Sequence, residues 1–380
     1  MGKTKILYIL SSSIMGGATF SALSLIEEMA KRSYQVVVVS PDMDRPLRER
    51  LDSKNIPWHV IPLGFKAYPP LGKCFIKWPY HMFKTILVNF LAKRRIVSII
   101  KKYKIDIVHT NVGPVTCGYE ASVKVGVPHV WHIREYGDKD FSIKMFPSIK
   151  QFRKVLSKSY VISITQDLIR YNKLDGNPKA YVIYNGVRHR NDVRYENSKD
   201  NYFLCASRVS PEKGFEQVIR VFADFYKVNT DYRLVIIGFG ADAYIRQLTQ
   251  LAKELNVYQA IDFEGYKDNV SDYMAKAKAL LVASPNEGFG RMTAEAAFAG
   301  CLVVGKNSAG TKEIMNITGG YPFNTDEEML QAMNGVVELS EEQYRLKALV
   351  AQNKASQFFS EEKYVDSVFN LYDSIKAKCS

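Results

Sequence analysis

Apolar positions along the chain alternate between two patterns, short β-branched runs and longer stretches with a three-to-four-residue repeat. Residues 5–10 form a short apolar run, residues 19–30 place Phe20, Leu23, Ile26 and Ala30 on one helical face, and residues 35–40 form a β-branched run. This strand–helix–strand unit needs a crossover, and a crossover makes a parallel sheet. Further strands are expected at 58–62, 105–109, 129–133, 160–164 and 180–184. Beyond Asn185-Gly186 the alternation breaks into the polar segment 188–201, which carries His189, Arg190, Asn191, Asp192, Arg194 and Glu196 and reads as a linker. The alternation then resumes, with strands expected at 203–206, 233–237, 261–263, 279–283 and 302–304, each followed by helical periodicity. A last helix over 360–376 puts Tyr364, Val368, Leu371 and Ile375 on one face. The expected divisions are a domain at 1–187, the linker 188–201, a second domain at 202–358 and the terminal helix within 359–380. Two Rossmann-like domains imply a cleft between them.

A chain of 380 residues that is 47% hydrophobic can fill two such cores. No apolar stretch approaches the roughly 20 residues that span a bilayer. The opening apolar run is too short for a secretory leader and reads as a strand. The cysteines Cys74, Cys117, Cys205, Cys301 and Cys379 are scattered and lack any Cys-x-x-Cys pair, which argues against a disulfide framework or zinc site and for a reducing compartment. The formal charge of +13 is concentrated. Between Ser53 and Ile105 there is no Asp or Glu, while Lys54, Lys66, Lys73, Lys77, Lys84, Lys93, Arg94, Arg95, Lys101, Lys102 and Lys104 alternate with Phe65, Tyr68, Phe75, Trp78, Tyr80, Phe83 and Phe90. Cations with interleaved rings suit an anionic membrane surface, so residues 53–105 are the expected contact. Ile96, Ile99, Ile100 and Tyr103 recur at helical spacing and are expected to face the core. No nucleic-acid recognition motif is present, and nucleic acid is not an expected partner.

The densest chemistry follows the apolar run 279–283, in Ser284-Pro285-Asn286-Glu287-Gly288-Phe289-Gly290-Arg291-Met292-Thr293-Ala294-Glu295. Glycines admit close backbone approach, and a helix starting near Arg291 aims unsatisfied amides at the loop, a setting for pyrophosphate. Glu287 and Glu295 bracket those amides and can accept hydrogen bonds from sugar hydroxyls. In the first half, Gly16-Gly17 links the first strand to the first helix, a second candidate phosphate cradle without the full dinucleotide spacing. Gly238-Phe239-Gly240 also lacks that spacing, so a nicotinamide cofactor is not expected; Gly238 instead borders a nucleotide, with Tyr266 and Lys267 near the base. Asp42-Met43-Asp44 matches a metal-holding pattern, but its neighbours Arg45 and Pro46 make it a turn, and no essential metal or other cofactor is expected.

Glu287 through Glu295 resembles the E-x7-E signature of retaining glycosyltransferases of the GT-B fold, specifically glycosyltransferase family 4. Asp106-Ile107-Val108-His109, Tyr184-Asn185-Gly186-Val187 and Ser207-Arg208-Val209-Ser210-Pro211-Glu212-Lys213-Gly214 extend the resemblance over nearly the whole chain. It implies an α/β GT-B architecture, two Rossmann-like domains facing across a cleft, the first taking the acceptor, the second the nucleotide sugar, and the terminal helix returning to the first. It further implies that Arg208 and Lys213 neutralise the donor diphosphate, Glu287 binds the transferred sugar and Glu295 the ribose. Gly17 is assigned to the donor phosphates or acceptor, and His132, at the end of a strand and followed by Arg134 and Glu135, lies close to the transferred sugar. Two residues depart from the family pattern: Arg188 stands where an aspartate is common, and Arg291 where an apolar residue is.

The expectation is therefore a cytoplasmic, peripheral-membrane enzyme that transfers a hexose or related sugar, with uridine diphosphate as carrier, to a hydroxyl of a glycan held on polyprenyl pyrophosphate, in surface polysaccharide assembly. The alternatives are an epimerase or phosphorylase on the same fold, or a non-catalytic glycan or lipid binder. Retention of all four residues Glu287, Glu295, Arg208 and Lys213 weighs against a binder.

Overall fold

The computed structural model describes residues 3–14, 17–32, 34–68 and 78–379. The chain divides into two units, Met1–Tyr184 joined by Tyr364–Ser380, and Asn185–Lys363. Segment 188–201 thus falls within the second unit.

The first unit is built on β1 (Thr4–Ile9), β2 (Tyr34–Ser40), β3 (Trp58–Val60), β4 (Ala67–Tyr68), β5 (Ile107–Asn111), β6 (His129–Ile133), β7 (Lys144–Met145), β8 (Tyr160–Ser163) and β9 (Ala180–Val182). Seven of these form one sheet in the order β3-β2-β1-β5-β6-β8-β9, paired in parallel throughout. The order reverses direction at β1, between β2 and β5. In an open α/β sheet such a reversal opens a ligand crevice at the carboxyl ends of the strands. The short pair β4 and β7 is antiparallel and was not expected from local pattern.

The helix Gly17–Lys31 buries Thr19, Ala22, Leu23, Leu25, Ile26 and Met29. Its buried face is rotated from the expected one, for Phe20 is 47% exposed and Ala30 is exposed as well. Leu25 and Met29, with Thr19 and Ala22, take buried positions in their place. Asp44 caps the helix Arg45–Asp52 by accepting from the Leu47 amide, and Asp42 accepts from the Ser13 amide at 2.7 Å, so both carboxylates serve turns.

The helix Glu361–Cys379 completes the first unit's core with Tyr364, Val365, Val368, Phe369, Leu371, Tyr372 and Ile375. At about 1.5–3 kcal/mol for each large apolar side chain fully buried, this packing far outweighs intrinsic helix propensity.

The helix Trp78–Tyr103 is two-sided. Ile96, Ile99 and Ile100 join the core, as expected, with Tyr103 packed half-buried against them. On another side Tyr80, Phe83, Ile86, Leu87, Phe90 and Leu91 are between 49% and 67% exposed. Residues 69–77, with Lys73, Phe75 and Lys77 of the expected basic surface, lie outside the described residues. Among the described residues no helix is long and apolar enough to cross a membrane.

The second unit contains β10 (Tyr202–Ala206), β11 (Arg233–Ile237), β12 (Ile261–Gly265), β13 (Ala279–Val282), β14 (Leu302–Lys306) and β15 (Tyr321–Phe323). They form a six-stranded parallel sheet in the order β12-β11-β10-β13-β14-β15. Here the reversal falls at β10, between β11 and β13. The loops leaving these three strands carry most of the residues singled out in this half.

Candidate functional site

The loop after β13 leads into the helix Arg291–Phe298, with Gly290 at φ 88°, a left-handed turn that places no side chain over the first amides. Thr293 and Thr311 lie beside Gly290, and both hydroxyls are buried without a hydrogen-bond partner among the described residues. Two buried hydroxyls beside uncapped helix amides give this turn a set of donors suited to an anion. The loop is fastened from behind: the Gly310 amide donates to the Glu287 carbonyl at 2.8 Å and Ser308 Oγ to the Pro285 carbonyl at 2.9 Å.

A pocket opens at this point, lined among others by Ser207, Lys213, Glu287, Gly290, Arg291 and Thr293, with Met292 also in its wall. Lys213 arrives from the loop after β10, where the short 3-10 turn Pro211–Lys213 delivers its Nζ to Glu287 Oε1 at 2.5 Å. Both side chains are about one-fifth exposed, so the pair is shielded but open to a ligand. The resemblance put Lys213 on phosphate and Glu287 on sugar, and the fold brings the two together across 74 residues of chain.

Glu295, one turn into the helix and 8% exposed, is held by two arginines. Arg291 Nε donates to its Oε1 at 2.8 Å and Arg188 Nη2 to its Oε2 at 3.3 Å. The two residues that depart from the family pattern thus meet on one carboxylate. Nothing local in the sequence linked Arg188 to this site, because it lies 107 residues away.

The remaining residues are more dispersed. Arg208 shares the Lys213 loop but pairs with Glu212 at 2.6 Å and stands outside the pocket wall. Gly238 follows β11 and its amide donates to the Gly265 carbonyl at 2.8 Å. Tyr266 is exposed with its ring 6.1 Å from that of Phe239, also exposed, and Lys267 pairs with Glu264 at 2.8 Å. Phe239 was passed over in the sequence as part of a failed glycine motif. Gly288 and Phe289 belong to the loop, with the Phe289 ring buried 5.8 Å from Phe359.

In the first unit, Gly17 begins the helix after β1 with open space where a Cβ would stand, and Gly16 lies outside the described residues. His132 is fully buried. Its Nδ1 lies 3.3 Å from His109 Nε2 and 3.4 Å from an Arg134 nitrogen, and its Nε2 has no partner among the described residues. His109 Nδ1 in turn meets Tyr372 Oη at 2.6 Å, and Arg134 donates to Tyr364 Oη at 3.1 Å and to Asn111 Oδ1 at 2.6 Å. Burial, and then the Arg134 charge, holds both imidazoles well below the usual histidine range, so they are neutral near pH 7. Burial also pushes Glu135 up to about 7, with Asp140 adding to the effect and Arg134 opposing it. His132 sits fully buried in β6, its Nδ1 facing His109 and Arg134. Among the described residues no cluster of three or more His, Cys, Asp or Glu is placed to hold a metal ion.

Two α/β units of this kind are found in known proteins as one architecture. The chain covers 98% of its length on the structure of Anabaena HepE in complex with UDP, and all of that chain, with a TM-score of 0.78 at 20% identity, which establishes the GT-B fold. The model of Glycosyltransferase Family 4 matches residues 15–190 and that of Glycosyl transferases group 1 residues 189–376, and the chain belongs to the group 1 glycosyltransferases. Among relatives, an uncharacterized 42.6 kDa protein in the cps region of Klebsiella pneumoniae is 25% identical, the match covering 87% of this chain and 92% of that protein. A Campylobacter jejuni N-acetylgalactosamine-N,N'-diacetylbacillosaminyl-diphospho-undecaprenol 4-alpha-N-acetylgalactosaminyltransferase is 32% identical over 33% of this chain and 34% of its own.

Proposed function

We propose that the protein transfers a hexose or related sugar from a uridine diphosphate donor, with retention of anomeric configuration, to a hydroxyl of a polyprenyl-pyrophosphate-linked glycan in surface polysaccharide assembly. The observation that carries this is the convergence of Lys213, Glu287, Thr293 and the uncapped helix start at Gly290 on one pocket, with the orphan hydroxyl of Thr311 beside Gly290. The diphosphate lies over the amides, Lys213 moves from Glu287 onto it, and Glu287 accepts the transferred sugar's hydroxyls. Arg208 adds charge from the same loop. Glu295 takes the ribose, and Tyr266, with Phe239 and Lys267 nearby, borders the base. As the bond from the anomeric carbon to the phosphate oxygen breaks, the acceptor oxygen attacks from the same face and its proton passes to the leaving phosphate. Lysine and helix amides fixed beside that oxygen favour the transition state over the ground state. No metal enters this scheme. The UDP complex of the Anabaena protein supports the carrier, and the Campylobacter and Klebsiella relatives support a lipid-linked acceptor and a polysaccharide role.

Thermal-shift screening against uridine, guanosine, adenosine and thymidine diphosphate sugars should show selective stabilisation by a uridine donor, lost in Glu287→Ala, and NMR of the product should show the donor's anomeric configuration. An inverted linkage would remove retention from the scheme. Sugar release or epimerisation without acceptor would point to the epimerase alternative, and dependence on free phosphate to the phosphorylase.

The enzyme works at the inner face of the cell membrane. The exposed stripe Tyr80, Phe83, Ile86, Leu87, Phe90 and Leu91 meets the acyl boundary, while Lys84 and Arg94 on the same helix meet anionic headgroups. Lys66 is not one of these contacts, since it pairs with Glu120 at 2.6 Å. Replacing Phe83 and Leu87 together by glutamate should reduce cosedimentation with phosphatidylglycerol vesicles by at least about tenfold, since each fully buried side chain of this size is worth about 1.5–3 kcal/mol. A wild-type protein that ignores such vesicles at physiological salt would end the membrane proposal.

A further inference from the structure

The two arginines on Glu295 do not touch it in the same way. Arg291, four residues earlier on the same helix, reaches Oε1 through Nε and also donates to the Val187 carbonyl at 3.1 Å. Arg188 reaches Oε2 from a separate segment whose backbone is fixed independently. The Val187 amide donates to the Phe359 carbonyl and the Arg188 carbonyl accepts from the Glu361 amide, each at 2.9 Å. Both oxygens of the carboxylate are therefore engaged, one by each arginine, and both arginine attachments are tied to the same stretch of backbone.

A glutamate side chain with free torsions must be ordered before it can grip a ligand, and that ordering subtracts from affinity. Here it is ordered in advance. An ionised carboxylate has about four acceptor positions, so two arginine bonds leave room for two more donors, the number a vicinal diol supplies. Two guanidinium groups on one carboxylate also leave an excess positive charge close to the pocket that Arg291 lines.

We propose that Arg188 and Arg291 are positioning residues that hold the Glu295 carboxylate in one orientation to receive the two ribose hydroxyls of the donor nucleotide. This rests on the donor site proposed above. The ordinary alternative is charge compensation, in which the arginines only make the burial of Glu295 tolerable. The two roles differ in what they do to sugar discrimination. Positioning acts on the ribose hydroxyls alone, whereas a compensating role weakens the folded site for every nucleotide equally.

The test is calorimetric titration of the full chain with uridine, guanosine, adenosine and cytidine diphosphates, each beside its 2′-deoxy counterpart. The wild-type protein should favour the ribose form of its nucleotide by about ten- to a hundredfold, as expected for a hydrogen bond to a charged group. Arg188→Met and Arg291→Met should each bring that ratio to within about threefold of unity, whatever happens to absolute affinity, and Arg291→Lys should restore part of it. The Arg291→Lys protein also serves if a methionine variant does not fold. If Glu295→Ala abolishes the ratio while the methionine variants retain it, the positioning role is wrong and the donor site stands. If Glu295→Ala leaves the ratio intact, or no nucleoside diphosphate binds the wild-type protein, the donor site is wrong and the proposal falls with it.

Discussion

Replacing Lys213 by alanine should lower kcat/KM for sugar transfer by about 10²–10³-fold, the loss seen when one preorganised donor is removed from a charge-developing transition state. The structure explains why this lysine and not Arg208 should carry the larger effect. Lys213 lies in the pocket wall against Glu287 at 2.5 Å, whereas Arg208 is half-exposed and already satisfied by Glu212. The lysine's alternative partner is a carboxylate that acquires hydroxyl donors when the sugar binds, so the ammonium can leave Glu287 for the diphosphate as the donor arrives. Steady-state kinetics with the identified donor, set beside the thermal unfolding of the variant, separates the possibilities. A drop in kcat/KM with little change in unfolding temperature supports the role, and unchanged kinetics with a lower unfolding temperature would reduce the pair to a structural contact.

Gly310→Ala should destabilise the second unit by about 1–3 kcal/mol, the usual cost of overpacking, and abolish detectable donor binding. An added Cβ would stand 2.3 Å from the Phe289 carbonyl oxygen and 2.7 Å from its Cα, both backbone atoms with no side-chain freedom to yield. Because the Gly310 amide also holds the Glu287 carbonyl, the displaced atoms belong to the loop that presents Glu287. Urea unfolding and donor titration measure the two effects. A variant with wild-type stability and donor affinity would show that this close approach is not needed.

Much of the architecture was legible because it is local. The β-branched runs announce strands, and the parallel sheets follow from helices lying between them, so β1, β2, β5, β6, β8 and β9 in the first unit and β10 to β14 in the second lie close to where the pattern puts them. Glu287 and Glu295 stood out for the same reason, lying on either side of a helix start directly after an apolar run. What escaped depends on partners far along the chain. The β4–β7 pair joins residues 67 and 145, β15 has only three residues, and Gly310 matters through Phe289 rather than through its neighbours. Arg188 looked like a departure from a family pattern, and only folding gave it a partner. The misjudged face of the first helix has a different cause. Phe20 is strongly apolar, but the buried side of that helix runs through Thr19, Ala22, Leu23, Leu25, Ile26 and Met29, and with apolar residues on more than one side hydropathy alone does not fix which side turns inward.

The helix Glu361–Cys379 has a consequence for how the chain is made. Its residues are translated after those of the second unit, yet Tyr364, Val368, Leu371, Tyr372 and Ile375 fill the core of the unit whose other residues precede that second unit. During synthesis the sheet around Tyr8, His109 and His132 therefore waits, with one face uncovered, while the whole of residues 185–363 is translated. The second unit has its full sequence before the first does, which reverses the amino-to-carboxyl order in which domains usually mature. The half translated first is the half finished last.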